Sequence, residues 1–325
     1  MIAVDRGRVL VGEDGELPLD LARVCALHRQ ALLEYTATDR HHAATLIFAG
    51  TRLVRPLAES RPALPESGEE QPVLALLGDF DRYLDLGAEP LNLQGFENQE
   101  QTVADLLAAR TGGTWVGVRD LAAYGYEGRG ESWAWGEVLA AAAALEAWHG
   151  ASGFDERTGS PTFAVRGGWV RVTDEGRELF PRTDPAVITA VTALVDGEQK
   201  ILLGQARAWG RGRYSTFAGF VEAGESLETA VVREVFEECG GLVQVQRYVG
   251  SQPWPFPRSL MCGFIAEISN PDAVEADGSE IEEIRWFSRA ELVQAYRTGE
   301  VQLPGKASIS RRLIEHWLGS PLDDR

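Results

Sequence analysis

The second half of the chain carries the clearer hydrophobic patterning. AVITAVTALV, from Ala186, is a nearly continuous apolar run, the pattern of a strand covered on both faces. Asp196-Gly197 follows it as a hairpin-type turn, with KILLGQAR from Lys200 as the returning strand. The spacing predicts a helix from Leu227 to Cys239, with Ser226 as N-cap and Gly240 as the stop. Apolar segments at Leu242 to Val249, Leu260 to Ile268 and Ile281 onward (IEEIRWF) read as further strands. Ser288 and Glu291 make a capping box for a helix through Tyr296, and ISRRLIEHWL from Ile309 makes another.

The first half alternates short apolar runs with polar loops. ATLIF (Ala44 to Phe48), PVLALLG (Pro72 to Gly78) and TWVGVRDL from Thr114 read as strands. Pro56 to Gln71 reads as a loop. Trp133 to His149 is built of strong helix formers. The stretch from Ala151 to Pro185, dense in turn residues, reads as a connecting element. Strands interleaved with helices, some strands hairpin-linked, predict an α+β class with a mixed sheet in the second half.

Composition narrows the partners. At 325 residues, 44% apolar and 25% charged, the chain suits two soluble domains. No apolar run approaches the roughly 18 residues of a membrane span. The first twenty residues lack a basic segment followed by a long apolar stretch, so a cytoplasmic protein is expected. Cys25, Cys239 and Cys262 are scattered and form no CxxC pair, which leaves no basis for a disulfide framework. A formal charge of −18 opposes general attraction to nucleic acid. It is equally awkward for binding a diphosphate, unless divalent cations reverse the sign of an acidic cluster locally.

Such a cluster exists in GFVEAGESLETAVVREVFEECG, Gly219 to Gly240. Glu234, Glu237 and Glu238 stand at i, i+3 and i+4, which on a helix puts three carboxylates on one face. Like charges at that spacing repel, and hard cations with oxygen ligands relieve the repulsion. Arg233, four residues before Glu237, can hold that carboxylate in place. A bare ExxEE is as readily a solvated helix face. The surrounding residues decide otherwise. Gly219, Glu225, Arg233, Glu234, Val235, Glu237, Glu238 and Gly240 match the signature of the Nudix box, which this segment resembles. Only Gly241 departs, standing where an aliphatic residue is usual, and Leu242 follows it.

The resemblance implies glutamates that bind magnesium or manganese and an in-line displacement at phosphorus. Glu234 and Glu238 are then ligands, and Glu237 is a further ligand or the general base. Glu225, at the loop–helix junction, caps or braces the motif rather than touching metal. Beyond the box, Ser251-Gln-Pro-Trp-Pro-Phe-Pro-Arg-Ser259 has proline at every second position, which predicts an extended, stiff loop. Trp254 and Phe256 give that loop flat faces suited to aromatic or nucleoside groups. SQPWPFPxS resembles the signature of the NADH pyrophosphatase family of Nudix enzymes. Members hydrolyse NADH or NAD to AMP and the nicotinamide mononucleotide, and some remove NAD caps from RNA.

That likeness, specific from about Trp148 to Trp317, implies further roles residue by residue. Gln252, Pro253, Trp254, Pro255, Phe256, Pro257, Arg258 and Ser259 become substrate contacts. Glu280, before IEEIRW, matches a distal metal-binding glutamate, and Ala218 a backbone ligand. Phe220 matches an aromatic that stacks on the nicotinamide, and Ser310 a small-residue substrate contact. Phe180 matches an aromatic that reaches a neighbouring subunit's nicotinamide, which implies a homodimer. Arg119, in GVRDL, is either a distant substrate-binding arginine or a salt-bridged surface residue. The family's zinc ribbon has lost its ligands here: its cysteine positions fall on Asp155 and Thr158, and near Val172 and Glu175. No zinc is expected, because none of these is a soft or borderline ligand. The ribbon backbone is expected to survive on packing around Phe154, Phe163 and Trp169.

The expected architecture is α+β: an N-terminal α/β domain (1–150), a degenerate zinc-ribbon linker without zinc (151–182) and a C-terminal Nudix fold (183–325), an α/β/α sandwich with a mixed sheet. The expected activity is metal-dependent cleavage of NADH or NAD, with NAD-capped RNA as a further substrate. Two rivals stand beside it: a Nudix hydrolase for ADP-ribose or another nucleoside diphosphate derivative, and an inactive nucleotide sensor. Intact Glu234, Glu237, Glu238 and Glu280 argue against the sensor, which has no need of a metal cluster. Arg207, Arg211 and Arg213 form a local basic patch that keeps RNA open against the acidic average.

Overall fold

The computed structural model describes residues 2–5, 8–11, 44–53, 70–78, 108, 112–119, 132–165 and 168–322. The chain divides into two compact units, Met1–Arg182 with Pro255–Pro257, and Thr183–Trp254 with Arg258–Arg325.

In the first unit, β1 (Ile2–Asp5), β2 (Arg8–Val11), β3 (Ala44–Leu53), β4 (Glu70–Gly78) and β5 (Thr114–Gly117) form a sheet in the order β3-β4-β1-β2-β5. Helix α1 (Ser132–Ala151) follows. The expected strands at 44–48 and 72–78 are present and longer than their apolar cores. The strand expected from Thr114 stops at Gly117. The loop expected at Pro56–Gln71 lies outside the described residues except Glu70 and Gln71, which open β4.

The turn-rich connection is itself a small sheet of β6 (Thr162–Val165), β7 (Val170–Thr173) and β8 (Glu178–Leu179). Of the three aromatics expected to pack it, Phe163 is half-buried and the other two lie largely at the surface. Phe154 is 64% exposed and Trp169 42% exposed. Polar bonds help to hold it. Asp155 is buried, and its Oδ1 accepts from the N–H groups of Arg157 (2.7 Å) and Thr158 (3.2 Å). Its Oδ2 lies 2.9 Å from Nε of Arg177. One carboxylate thus ties the turn before β6 to Arg177, just ahead of β8.

A second tie is made by Arg171, which donates to Thr162 Oγ1 (2.8 Å), to Thr162 O (2.7 Å) and to Nδ1 of His149 (2.8 Å). His149 therefore presents Nε2–H to the carbonyl of Gly168, at 2.8 Å. Burial first, and the Arg171 charge second, lower the His149 pKa to about 4. The folded state thus resists protonation that the unfolded chain accepts near 6.5. This contribution is complete above that pH and is lost as pH falls toward 4. It amounts to on the order of 3 kcal/mol. His149→Gln should flatten the fall in melting temperature between pH 6.5 and 4. Parallel profiles for the two proteins would remove this residue from the account.

The second unit explains its own apolar pattern. β9 (Asp184–Val195) pairs in parallel with β13 (Ser259–Ile268), and antiparallel with β10 (Glu198–Ala206) and the short β11 (Phe217–Phe220). β12 (Val243–Trp254) and β14 (Ile281–Phe287) complete the order β12-β13-β9-β10-β14. Successive side chains of β9 point to opposite faces. Val187 packs with Ala230 and Val231 of α2 (Leu227–Cys239), and Val191 and Ala193 with Val235 of the same helix. Ile188 and Ala190 pack with Leu313 and Ile314 of α4 (Ile309–Leu318) and Leu292 of α3 (Arg289–Thr298). A strand between two helical layers has no polar face, hence the continuous run. This is the mixed-sheet α+β sandwich expected of the C-terminal half. Among the described residues no helix is long and apolar enough to cross a membrane.

Candidate active site

Helix α2 opens on Ser226, whose Oγ accepts from Thr229 N at 3.1 Å, and ends at Gly240, left-handed at φ 66°. Its inner stripe buries Ala230, Val231, Val235 and Cys239. Glu238 lies next to that stripe in sequence and is carried inward with it, to 7% exposure. Its Oε2 accepts from the N–H of Ala218 on β11, at 3.2 Å. Glu234, one turn earlier, faces Gly219 so closely that any Cβ there would fall inside its carboxylate. A side chain at 219 would push the Glu234 carboxylate out of its present place.

Arg233 organises the flank. It donates to both oxygens of Glu225 (2.7 and 2.9 Å), to Glu234 Oε1 (2.8 Å), to Glu237 Oε2 (3.0 Å) and to the carbonyl of Phe220 (2.8 Å). Glu225 also accepts from the N–H of Glu222. The Arg233 hydrogen bonds, chiefly, hold the Glu225 carboxyl down at about 2. Of the two roles left open for Glu225, this geometry favours the brace.

Glu280 is aimed from the other side by a turn built on Asp277. Asp277 accepts the N–H groups of Ser279 (3.1 Å), Glu280 (3.0 Å) and Ile281 (2.7 Å), together with the Ser279 hydroxyl. The Ser279 hydroxyl, above the backbone donors, keeps the Asp277 carboxyl at about 2. The carbonyl of Glu280 accepts from Arg207 N at 2.8 Å.

These elements enclose a cavity of about 620 Å³ lined by Phe220, Arg233, Glu234, Glu237, Glu238 and Glu280, among others. A second cavity, of about 310 Å³, shares the wall of Ala218, Glu238, Met261 and Glu280 and extends to Trp209, Trp254 and Ser310. Burial, then the Glu234 charge, then Glu280 and Asp277, raise the Glu238 pKa to about 8, against one opposing backbone donor. Burial likewise raises Glu234. Sequence reading expected the four carboxylates to close on a common point. They share one cavity, yet among the described residues no three His, Cys, Asp or Glu side chains gather tightly enough to surround an ion. Mutual repulsion and the pull of Arg233 on Glu234 and Glu237 account for the spread. Hard oxygen donors facing one cavity, one of them buried with little counter-charge, fit a divalent cation.

The aromatic–proline motif divides in two. Gln252, Pro253 and Trp254 finish β12, and Pro255 to Pro257 make the turn into β13, so only part of the expected stiff loop is a loop. β12 is the sheet's edge strand, where a proline without an N–H is tolerated. Gln252 is buried with both ends of its amide engaged, donating to Ala307 O (2.5 Å) and accepting from Ile309 N (2.7 Å). It secures the start of α4. Arg258 pairs with Asp184 at 2.7 Å, and Ser259 lines the larger cavity. Ser310 is buried in a hydroxyl cluster, 2.8 Å from Ser215 Oγ and 2.8 Å from Thr216 Oγ1. Phe220 is 58% exposed at the end of β11. Phe180 and Arg119, both exposed, belong to the first unit.

Trp209, Ser215, Thr216, Met261 and Asp277 line these cavities without having been singled out in the sequence. Asp277 had a local signal, since Asp-Gly-Ser before a glutamate is turn chemistry. The others sit on elements that become neighbours of the acidic helix only through the sheet.

Residues 185–309 match the NUDIX domain family. The chain is 44% identical over 191 residues to the NAD-capped RNA hydrolase NudC of Mycobacterium bovis, covering 56% of this chain and 60% of that protein. It is 36% identical over 193 residues to the human NAD-capped RNA hydrolase NUDT12, covering 56% of this chain and 41% of that one. The chain thus spans three-fifths or less of the length of these relatives. Among solved structures, a NUDIX hydrolase from Nitrosomonas europaea overlays with a TM-score of 0.40 at 19% identity, covering 53% of this chain and 96% of that one.

Proposed function

We propose that this chain, whose residues 185–309 match the NUDIX domain family and which is 44% identical over 191 residues to an NAD-capped RNA hydrolase, is an NADH-pyrophosphatase-type Nudix enzyme that hydrolyses the diphosphate of NADH or NAD to AMP and the nicotinamide mononucleotide. NAD-capped RNA is the further substrate. The observation that carries this reading is the single cavity faced by Glu234, Glu237, Glu238 and Glu280, with an exposed aromatic, Phe220, at its rim.

Glu234, Glu238 and Glu280, with the carbonyl of Ala218, would hold magnesium or manganese. The bound cations would neutralise the diphosphate and polarise its phosphoryl oxygens. The chain's own residues do the rest. Glu237, the most exposed carboxylate on Arg233, is free enough to take a proton from water as that water's oxygen attacks phosphorus. The phosphorus–oxygen bond to the leaving mononucleotide breaks in line. Arg233 positions Glu234 and Glu237 rather than touching substrate. Phe220 stacks on the nicotinamide, and Trp254 and Ser310 line the compartment for the other mononucleotide. The family resemblance adds Phe180 as a contact to a neighbouring subunit's nicotinamide, and Arg119 as either a substrate contact or a surface arginine, in a homodimeric, cytoplasmic enzyme that uses no zinc.

Product analysis tests this directly. With NADH and magnesium, AMP and reduced nicotinamide mononucleotide should appear in equal amounts. A clear preference for ADP-ribose over NADH, NAD and NAD-capped RNA would overturn the substrate assignment.

A further inference from the structure

The loop between β10 and β11 borders the smaller cavity and carries a charge opposite to that of the rest of the chain. From Arg207 to Arg213 it reads RAWGRGR, three arginines and no acid in a protein of formal charge −18. Trp209 lines the smaller cavity, and the Arg213 guanidinium lies 4.8 Å from the centre of its ring system. All three arginines are exposed.

The loop is also built to hold its place. Arg207 donates its backbone N–H to the carbonyl of Glu280 and its Nη1 to the carbonyl of Gly278, at 3.0 Å. The N–H of Gly212 is held by Gln205 Oε1 (2.6 Å), and its carbonyl accepts from Gln302 N (2.7 Å). Gly212 has φ +80°, and a Cβ there would meet the carbonyl oxygen of Glu300 at 2.8 Å, so only glycine fits. Arg211 and Arg213 flank that pinned residue. A solvated basic loop needs no such anchorage beside a glutamate of the acidic cavity.

We propose that this loop is a binding site for the phosphates of single-stranded RNA extending beyond the dinucleotide. Arg211 and Arg213 neutralise the first backbone phosphates, and Trp209 offers a stacking face at the cavity rim. This rests on the reading of the site as an NAD-cleaving one and names the larger substrate that site would prefer. NADH lacks the backbone phosphates that follow the dinucleotide in a capped RNA, so the loop would separate the two substrates by length and charge.

The test compares the full chain with its Arg211→Glu/Arg213→Glu variant on two substrates, NADH and a NAD-capped RNA of about ten nucleotides. The variant should retain kcat/KM for NADH within about twofold and lose about tenfold or more on the capped RNA, mainly through KM. Its log–log salt dependence on capped RNA should flatten by about 1.4, two phosphate contacts at roughly 0.7 each. Trp209→Ala should weaken capped RNA without changing the salt slope. Equal losses on both substrates, or loss on neither, would overturn the proposal, as would a wild-type chain that cleaves NADH but not capped RNA. A wild-type chain inactive on NADH as well would sink the underlying assignment instead, so the two failures are distinct.

Discussion

Glu238→Gln should reduce NADH hydrolysis by about a hundred- to ten-thousand-fold, the range for losing one group that stabilises or transfers charge in the transition state. The fold should not suffer. Glutamine fills the same space, and its carbonyl oxygen can accept from Ala218 N as the carboxylate does. The substitution removes a charge that burial and the neighbouring Glu234, Glu280 and Asp277 all oppose. The pH dependence carries a sign. A carboxyl whose folded pKa is about 8, against 4.5 when unfolded, favours the ion-free fold at low pH and loses that contribution as pH rises from 4.5 through 8. In chelator, the wild-type melting temperature should therefore fall relative to the variant's across that window. Saturating magnesium should recover it in the wild type alone. Turnover near wild type in the variant would remove Glu238 from the site.

The second large effect belongs to Arg233. Arg233→Ala should lower kcat/KM about a hundredfold, raise the magnesium concentration needed for half activity, and reduce the melting temperature by a few degrees. Without the guanidinium, Glu225, Glu234 and Glu237 face one another uncompensated, and the Phe220 carbonyl loses its donor. Arg233→Lys should recover little. One ammonium carries the charge but cannot span three carboxylates and a carbonyl as a planar fork does. A merely electrostatic role predicts the opposite, so full activity in the lysine variant would decide against positioning.

The difference between sequence and structure is clearest at particular residues. Ser226, Gly240, Ser288 and Glu291 marked their helix ends correctly because capping is local: donor and acceptor lie within four residues. The apolar run of β9 was legible because a doubly covered strand has no polar face. Legibility ended where a distant partner sets the environment. Phe154 and Trp169 have the composition of a small core, yet they are exposed, and the polar bonds of Asp155 and Arg171 make ties there. Gln252 belongs to a substrate-like motif, yet a helix start 57 positions away takes up its amide. No spacing rule anticipates such bonds.

By itself, then, the sequence determined the helix that carries three carboxylates, the residues able to cap it, and the arginine able to hold one of those carboxylates in place. The tertiary fold decided how Glu280, which family resemblance alone had pointed to, shares their cavity, that Glu238 is buried while Glu237 is not, and that Trp209 with Arg213 against it lines the neighbouring cavity. The reason is one of range. Helix periodicity and capping act over a few residues, whereas burial, desolvation and the meeting of separate loops arise only once β9 has gathered its partners on both edges.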